Sequence, residues 1–339
     1  MTPKSLLATI ALPASVVDRR GTVPILGSLC IADGRVIGTD LERQISVMVD
    51  LDLRCCVMAD RFTAALKALP PDCELKLDMQ EQRLRVRGGR SKFMIPTLPV
   101  EDFPTQEWVE PDVVIEDPAE LAAAIRTVEP AMAVHDVRTY LHGIATQSSS
   151  VNGTNGHWAA KHECKALPDG IIIPRASIPM LLSALDEETV RYSAHERGLC
   201  IAANGHRMST KLAEGKYPDV SRYWNIGHHA KHWQVNRAEF ISAVSSVHGM
   251  RQGKASIGLL KIHGGAMSFQ FARNGEEAEA TVTCDGLDWE CGFDFGYLLE
   301  AAKVLDGTML TMSQADATSV MVVTGENEKQ RVVIMPARV

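Results

Sequence analysis

Three stretches of this 339-residue chain share one pattern, a basic residue, a short apolar strand and a closing proline, and their spacing limits the possible fold more than any other feature. They are Ser91 to Pro104 (SKFMIPTLPVEDFP), Arg207 to Pro218 (RMSTKLAEGKYP) and Arg331 to Pro336 (RVVIMP). Pro104, Pro218 and Pro336 stand roughly 115 residues apart, the signature of one structural unit used three times. A unit of that length is an ordinary domain, whereas a single hydrophobic core stops growing before 339 residues. The expected modules are 1–111, 112–230 and 231–339.

Two amphipathic helices recur in each module. The second kind carries its apolar stripe at i, i+4 and i+7: Phe62, Leu66 and Leu69 in Ala59 to Leu69, Ile178, Leu182 and Leu185 in Arg175 to Leu185, and Leu298, Ala302 and Leu305 in Phe295 to Leu305. The first kind runs from Asp117 to Val128 and from Asn236 to His248, with Asp117-Pro118 and Asn236 supplying N-cap chemistry. In module one Leu6 and Ile10 keep the same register, and Pro13 is expected to end that helix early and leave it short. An extended stretch precedes this helix in the later modules, at Val113 to Glu116 and Trp233 to Val235, and has no counterpart in module one.

Strand patterns fill the rest: Ile25 to Ile31, Arg35 to Ile37, Gln44 to Leu51, Glu74 to Asp78 and a hairpin from Arg83 to Ile95 turning at Gly88-Gly89. The later modules repeat them at Ile171 to Ile173, Val190 to Ser193, Leu199 to Ala202 and Met309 to Thr324. The fold class is therefore α+β, three repeated modules, each with two helices packed on an antiparallel sheet. The outer helix faces carry Arg61, Lys67, Arg126, Arg175, Arg237 and Lys303, with Arg19 and Arg20 after the first helix. On one helix this is an ordinary solvated face. Its recurrence in a chain of net charge −7 sends the acid elsewhere and leaves a surface that could hold a polyanion loosely.

That net charge argues against a generally basic coat for nucleic acid. With 45% hydrophobic residues and no long apolar span, disorder and membrane insertion are not expected. Eight cysteines without CxxC or framework spacing read as buried or idle thiols of a reducing compartment, which points to the cytoplasm. Lys4 and the run Leu6 to Val17 imitate a secretory signal ending at Pro13-Ala14-Ser15, but Leu6 and Ile10 belong to the helix register, which a disposable segment has no reason to keep.

No enzyme motif survives. Gly249 to Lys254 (GMRQGK) has too few residues between its glycines for a phosphate-binding loop and Ala255 where Ser or Thr is required; GxSxG and HExxH are absent. His228, His229 and His232 form the richest cluster, and on a helix His228 and His232 would share a face able to hold zinc. No carboxylate or cysteine completes that site, so a polar linker is the plainer reading, neither metal nor cofactor is expected, and a metal-dependent hydrolase is the weaker rival. The NGH triplets at Asn155 to His157 and Asn204 to His206 read as turns.

Seven further motifs fall in order along the chain: RGTVPILGSLCI (Arg20 to Ile31), GTDLE (Gly38 to Glu42), TLPVEDFP (Thr97 to Pro104), HDVRTYLHG (His135 to Gly143), TNGHW (Thr154 to Trp158), EGKYPDVSRY (Glu214 to Tyr223) and VVIMPARV (Val332 to Val339). Together they resemble the bacterial DNA polymerase III beta subunit family, the sliding clamps. The resemblance implies a non-enzymatic DNA sliding clamp, two chains joined head to tail as a homodimeric closed ring of six modules with helices lining the hole. Double-stranded DNA would thread it without sequence preference, since weak phosphate contacts leave every register equivalent. DNA polymerase, the clamp loader and repair proteins would dock through short clamp-binding peptides. A clamp-like hub that does not encircle DNA is the alternative, separated from the ring by mass in solution.

The resemblance also assigns residues. Arg20, His135, Tyr140, Lys67 and Arg175 would face DNA, and Phe103 would meet the partner's strand Ser256 to Ile262, through Ile257 and Leu259, at the dimer interface. The peptide cleft would comprise Leu141, Thr154, Gly156, His157, Trp158, Ala159, Pro218, Arg222, Tyr223, Val333, Met335, Pro336 and Arg338. Trp158 stands where the family has Arg, Ala159 where it has a larger aliphatic residue, His135 where it has an amide, and Ala176 at a helix position often basic. These departures imply a divergent member.

Overall fold

The computed structural model describes every residue except Gly21, Arg197, 225–229, 251–256, Asn274 and Val339. From the amino end come α1 (Pro3–Ser15), β1 (Ser28–Ala32), β2 (Arg35–Thr39), β3 (Arg43–Met48), β4 (Cys55–Met58), α2 (Ala59–Lys67), β5 (Lys76–Gln80), β6 (Arg83–Gly88) and β7 (Ser91–Leu98). Next are β8 (Val113–Val114), α3 (Pro118–Val128), β9 (Gly143–Gln147), β10 (Ser150–Thr154), β11 (Trp158–Glu163), β12 (Ile172–Pro174), α4 (Ile178–Leu185), β13 (Val190–His195), β14 (Gly198–Ala203) and β15 (His206–Lys211). The last run is β16 (Lys231–Asn236), α5 (Arg237–Gly249), β17 (Ile257–His263), β18 (Ala266–Arg273), β19 (Glu276–Gly286), β20 (Trp289–Asp294), α6 (Phe295–Val304), β21 (Met309–Gln314), β22 (Met321–Thr324) and β23 (Gln330–Ile334).

Most of the apolar stripes bury as their period requires; in α4 the expected Leu182 is half-buried and Leu181 takes the buried place. Leu6 and Ile10 of α1, Phe62 and Leu66 of α2, Leu121, Ile125 and Val128 of α3, and Phe240, Val244 and Val247 of α5 are all essentially inaccessible. Asn236 caps α5 by accepting from the backbone of Ala238 and Glu239, as its sequence position implies. Pro13 does not shorten α1, which runs 13 residues, as long as α5. The helix starts earlier instead, at a Thr2–Ser5 capping box, and Pro13 falls in its last turn, where only one intrahelical hydrogen bond is forfeited. Gly38 of β2 lets that turn approach, because a Cβ there would lie 2.1 Å from the Pro13 carbonyl oxygen. No strand precedes α1 among the described residues.

The chain forms two compact units. Met1–Pro118 with Ala176–Leu212 holds one antiparallel sheet in the order β5-β6-β7-β4-β1-β2-β3-β15-β14-β13-β8. Ala119–Arg175 with Ala213–Val339 holds the other, β12-β9-β10-β11-β23-β22-β21-β16-β19-β18-β17-β20. The strand patterns predict one sheet in each module. The structure has two, because β3 pairs with β15 and β11 with β23, so strands expected in different modules share a ladder. In the second unit Phe269 packs edge-on between Phe240 (5.2 Å) and Phe295 (5.8 Å), tying α5 and α6 to β18.

Several basic residues depart from the expected outer faces. Arg175 lies in a single 3-10 turn, Arg175–Ser177, rather than in the helix, and its half-buried guanidinium donates to the carbonyls of Met132 (2.9 Å) and Ala133 (3.5 Å). Arg237 is likewise committed, donating to the Ala302 and Lys303 carbonyls at the carboxyl end of α6. Arg61, Lys67 and Lys303 remain exposed on helix faces. His232 sits on β16, not on a helix, and its Nδ1 meets the Ser313 hydroxyl at 2.7 Å; His228 and His229, and all but Gly249 and Met250 of GMRQGKA, lie outside the described residues. Among the described residues no metal-holding cluster occurs and no helix is long and apolar enough to cross a membrane.

Candidate functional site

The TNGHW motif builds the centre of the site in the second unit. Between β10 and β11, the Asn155 carboxamide oxygen accepts from the backbone N–H groups of His157 (2.9 Å) and Trp158 (3.1 Å). Thr154 Oγ1 donates to the Trp158 carbonyl at 2.7 Å and accepts from Gly156 N–H at 3.0 Å. Gly156 takes φ of +88°, a left-handed conformation that suits glycine, and sits against the Arg138 guanidinium. Below the turn, the buried Tyr217 hydroxyl accepts from Thr154 N–H at 2.9 Å and points its own hydrogen at the Gly143 carbonyl, 3.4 Å away. Burial pushes that phenol well above its ordinary range, so it stays neutral and able to donate.

The third repeat stretch closes the other side. Trp158 stands opposite Ile334 and Ala159 opposite Val333 on the β11–β23 ladder, which Met335 N–H extends by donating to the His157 carbonyl at 2.9 Å. Pro336 has no N–H to continue it, and Ala337 N–H turns to the Gly292 carbonyl at 2.8 Å. Met335 is thereby held at the surface, 43% exposed, with Arg338 beyond it. On one face of the ladder Ala159, Val333, Val322, Val220 and Trp224 form one apolar cluster, with Tyr223 half-buried against it. The Arg222 guanidinium lies 4.7 Å over the Tyr223 ring and donates to its hydroxyl at 2.6 Å.

The structure brings most of the expected cleft residues together, and they differ in exposure. His157, Gly156, Arg222, Met335 and Arg338 are exposed, and Pro218, Tyr223 and Pro336 are half-buried. Thr154, Trp158, Ala159 and Val333 are buried in the chain's own packing, and Leu141 lies deeper still, with Ala133, Ala145, Ile172 and Tyr217. Trp158 is not displayed: it is 3% exposed and stacks on Tyr297 at 6.0 Å, a ring that His157 also faces at 6.2 Å. Beside them a hollow of about 560 Å³ is lined by His135, Asn155, His157, Asp294 and Tyr297. The small side chain of Ala159 is matched by Trp224, 7% exposed, in the same cluster.

Sequence reasoning misses Tyr217, Val220, Trp224 and Tyr297 as site residues. Tyr217 and Val220 lie inside the EGKYPDVSRY motif and Trp224 directly follows it, a position that could have drawn suspicion, whereas Tyr297 lies inside a helix pattern and gives no signal.

Of the residues expected at DNA, Arg20, His135 and Lys67 are exposed and Tyr140 is half-buried. Arg20 pairs with Asp18 at 3.0 Å, which holds that carboxyl below its usual range. The expected dimer residues differ in exposure. Phe103 is 6% exposed, packed with Cys30, Ala32 and Cys56 of its own unit. Ile257 is 41% exposed and Leu259 half-buried; from Leu259 to Ile262 their strand β17 has β18 on one side and β20 on the other, while Ile257 pairs with β20 alone among the described residues. Open edges occur elsewhere: residues 91–96 of β7 pair only with β6, and residues 276–283 of β19 only with β18, among the described residues.

Comparison with known proteins bears on the family and the fold. The family described as DNA polymerase III beta subunit, N-terminal domain, matches residues 2–107. The beta sliding clamp of Pseudomonas aeruginosa is 31% identical over 384 aligned residues, covering 99% of this chain and 98% of the relative. The crystal structure of the DNA polymerase III subunit beta from the same organism superposes with a TM-score of 0.89 at 27% identity, covering 100% of this chain and 99% of that one. A second crystal structure of that clamp, bound to griselimycin, gives 0.89 at 27% identity, covering 100% and 98%.

Proposed function

The chain belongs to the DNA polymerase III beta subunit family, the sliding clamps, and from that premise we propose that two copies close head to tail into a ring around duplex DNA. The observation that carries the proposal is the repetition of one junction. In repeat order β3, β11 and β19 correspond, each the third strand after a module's first helix, and so do β7, β15 and β23, each the last strand before a closing proline. The chain itself makes two of the three possible joints, β3 with β15 and β11 with β23. β19 and β7 are left with open edges, so the same joint is available to another copy, as a heterologous contact that closes when rotation allows. Charge supports the match: Glu276, Glu277 and Glu279 are exposed on β19, and Arg90 and Lys92 are exposed at β7.

In this reading the three modules are 1–111, 112–230 and 231–339, repeated units that contribute strands to shared sheets. Arg20, Lys67, His135 and Tyr140 touch the DNA backbone, weakly enough to slide. Arg175 contributes by holding the Met132–Ala133 backbone beside His135 rather than by reaching phosphate. The surface between the TNGHW turn and the Met335-Pro336 tail receives short peptides of DNA polymerase, the clamp loader and repair proteins, with Met335, Tyr223 and Arg222 as outer contacts and the Ala159–Trp224 cluster as floor. The chain works in the cytoplasm, on the nucleoid, and does no chemistry. The test is topological: the loaded protein stays on circular DNA and runs off the same DNA made linear. Retention on both, or on neither, rejects the ring.

A further inference from the structure

We propose that Cys30 and Cys56 form an oxidation site, a buried dithiol that hydrogen peroxide converts to a disulfide stapling β1 to β4. The two residues stand directly opposite each other on the β1–β4 ladder. Opposed residues on antiparallel strands have Cα atoms about 4.5–5.5 Å apart, inside the range a disulfide spans. Both side chains pack on the face covered by Phe103. Cys55 points to the opposite face of its strand and lies opposite Ile31, so it is not a competitor for Cys30.

The two thiols are unequal. Cys30 is held below its usual range, first by the hydrogen bond with Cys56 and further by the Arg54 guanidinium, while Cys56 is pushed up. Cys30, the thiol that the Arg54 guanidinium favours, is where the first attack is placed. It strikes one peroxide oxygen, the O–O bond breaks, and Cys30 becomes a sulfenic acid while the departing hydroxide takes a thiol proton and leaves as water. Cys56 sulfur then attacks Cys30 sulfur and expels the bound oxygen as a second water. Two thiols lose two electrons and one peroxide becomes two waters.

A lid governs access. Cys30 is 2% and Cys56 0% exposed, under Phe103 at the end of the 3-10 turn Val100–Asp102. Arg54 ties that turn down, pairing with Glu101 at 3.1 Å and with Asp33 at 3.6 Å. The oxidant enters when this short segment lifts, a local opening that does not require unfolding of the sheet.

The test uses the full chain, treated with millimolar hydrogen peroxide, alkylated after denaturation and mapped by mass spectrometry without reductant. The expected product is the Cys30 peptide joined to the Cys56 peptide, lighter by two hydrogens and separated again by reductant. Phe103→Ala accelerates its formation by about threefold or more by opening the lid, and Cys56→Ser leaves a Cys30 sulfenic acid that dimedone captures. The proposal is overturned if both cysteines are still alkylated when the half-buried Cys73 and Cys164 have been oxidised, or if Cys56 is found joined to Cys55 or any other cysteine. The peptide map is made on the unaltered chain, so its outcome does not depend on whether the variants fold.

Discussion

Replacing Tyr217 with Phe isolates the one hydrogen bond that holds the TNGHW turn from beneath. The ring is 4% exposed and packs with Leu141, Ala145 and Ile172, contacts that Phe keeps. What is lost is the acceptor for Thr154 N–H at 2.9 Å; the 3.4 Å contact with the Gly143 carbonyl is too long to weigh much. Thr154 is 3% exposed, so its N–H has little access to replacement water, and an orphaned buried donor costs about 1–3 kcal/mol. The second unit should therefore lose roughly 2 kcal/mol, a factor of about 30 in its unfolding equilibrium. Trp158, Trp224, Trp233 and Trp289 all lie in that unit and only Trp108 in the other, so fluorescence during urea unfolding reports mostly on it. The midpoint should fall with an unchanged slope. Tyr223→Phe, which removes a half-buried hydroxyl held by the exposed Arg222, should change stability by no more than about 0.5 kcal/mol. Equal stability of Tyr217→Phe and the unaltered chain would refute the reasoning.

Three further outcomes are expected. Met335→Ala combined with Pro336→Ala should weaken binding of clamp-binding peptides by about tenfold in a fluorescence titration, with the mass of the assembly unchanged; unchanged affinity would remove the tail from the cleft. Reversing Glu276, Glu277 and Glu279 to Lys should weaken the dimer by about 30-fold or more in sedimentation, and adding Arg90→Glu with Lys92→Glu should restore it, whereas an unaffected dimer places the joint elsewhere. Glu120 is hydrogen-bonded first by Lys329 (2.9 Å) and then by His162 (3.1 Å), which hold its carboxyl below the ordinary 4.5. A depressed folded value means the ionised carboxylate supports folding above pH 4.5 and that support fades as pH falls through the folded value. The stability gap between the unaltered chain and Glu120→Gln should accordingly shrink as pH is lowered from 4.5; a gap that grows would reverse the assignment.

Particular residues show where sequence reading succeeds and where it stops. The stripes of Phe62 and Leu66 or Phe240 and Val244 are readable because a 3.6-residue period is a local property that any amphipathic helix must display. Asn155-Gly156-His157 is readable as a turn for a similar reason, since its side-chain and backbone hydrogen bonds span only a few residues. Pro13 misleads because the rule for proline concerns helix interiors, and the helix start that makes room for it lies at Thr2 and Ser5. Trp158 and Arg175 mislead for another reason. Residue type suggests display, and only the neighbours, Tyr297 for one and the Met132 and Ala133 carbonyls for the other, turn them inward.

Most of the helix stripes and the kinship with sliding clamps follow from residue order alone, because periodicity and motif spacing are written along the chain. Which strand lies beside which is not. Alternation along a strand says which face is buried but not which partner completes the ladder, and that choice is settled by packing across the whole unit. So the open edges at β7 and β19, and the burial of Phe103 in its own unit, emerge only in the folded chain. The same holds for Cys30 and Cys56, two cysteines with no meaningful spacing in sequence that the β1–β4 register sets face to face.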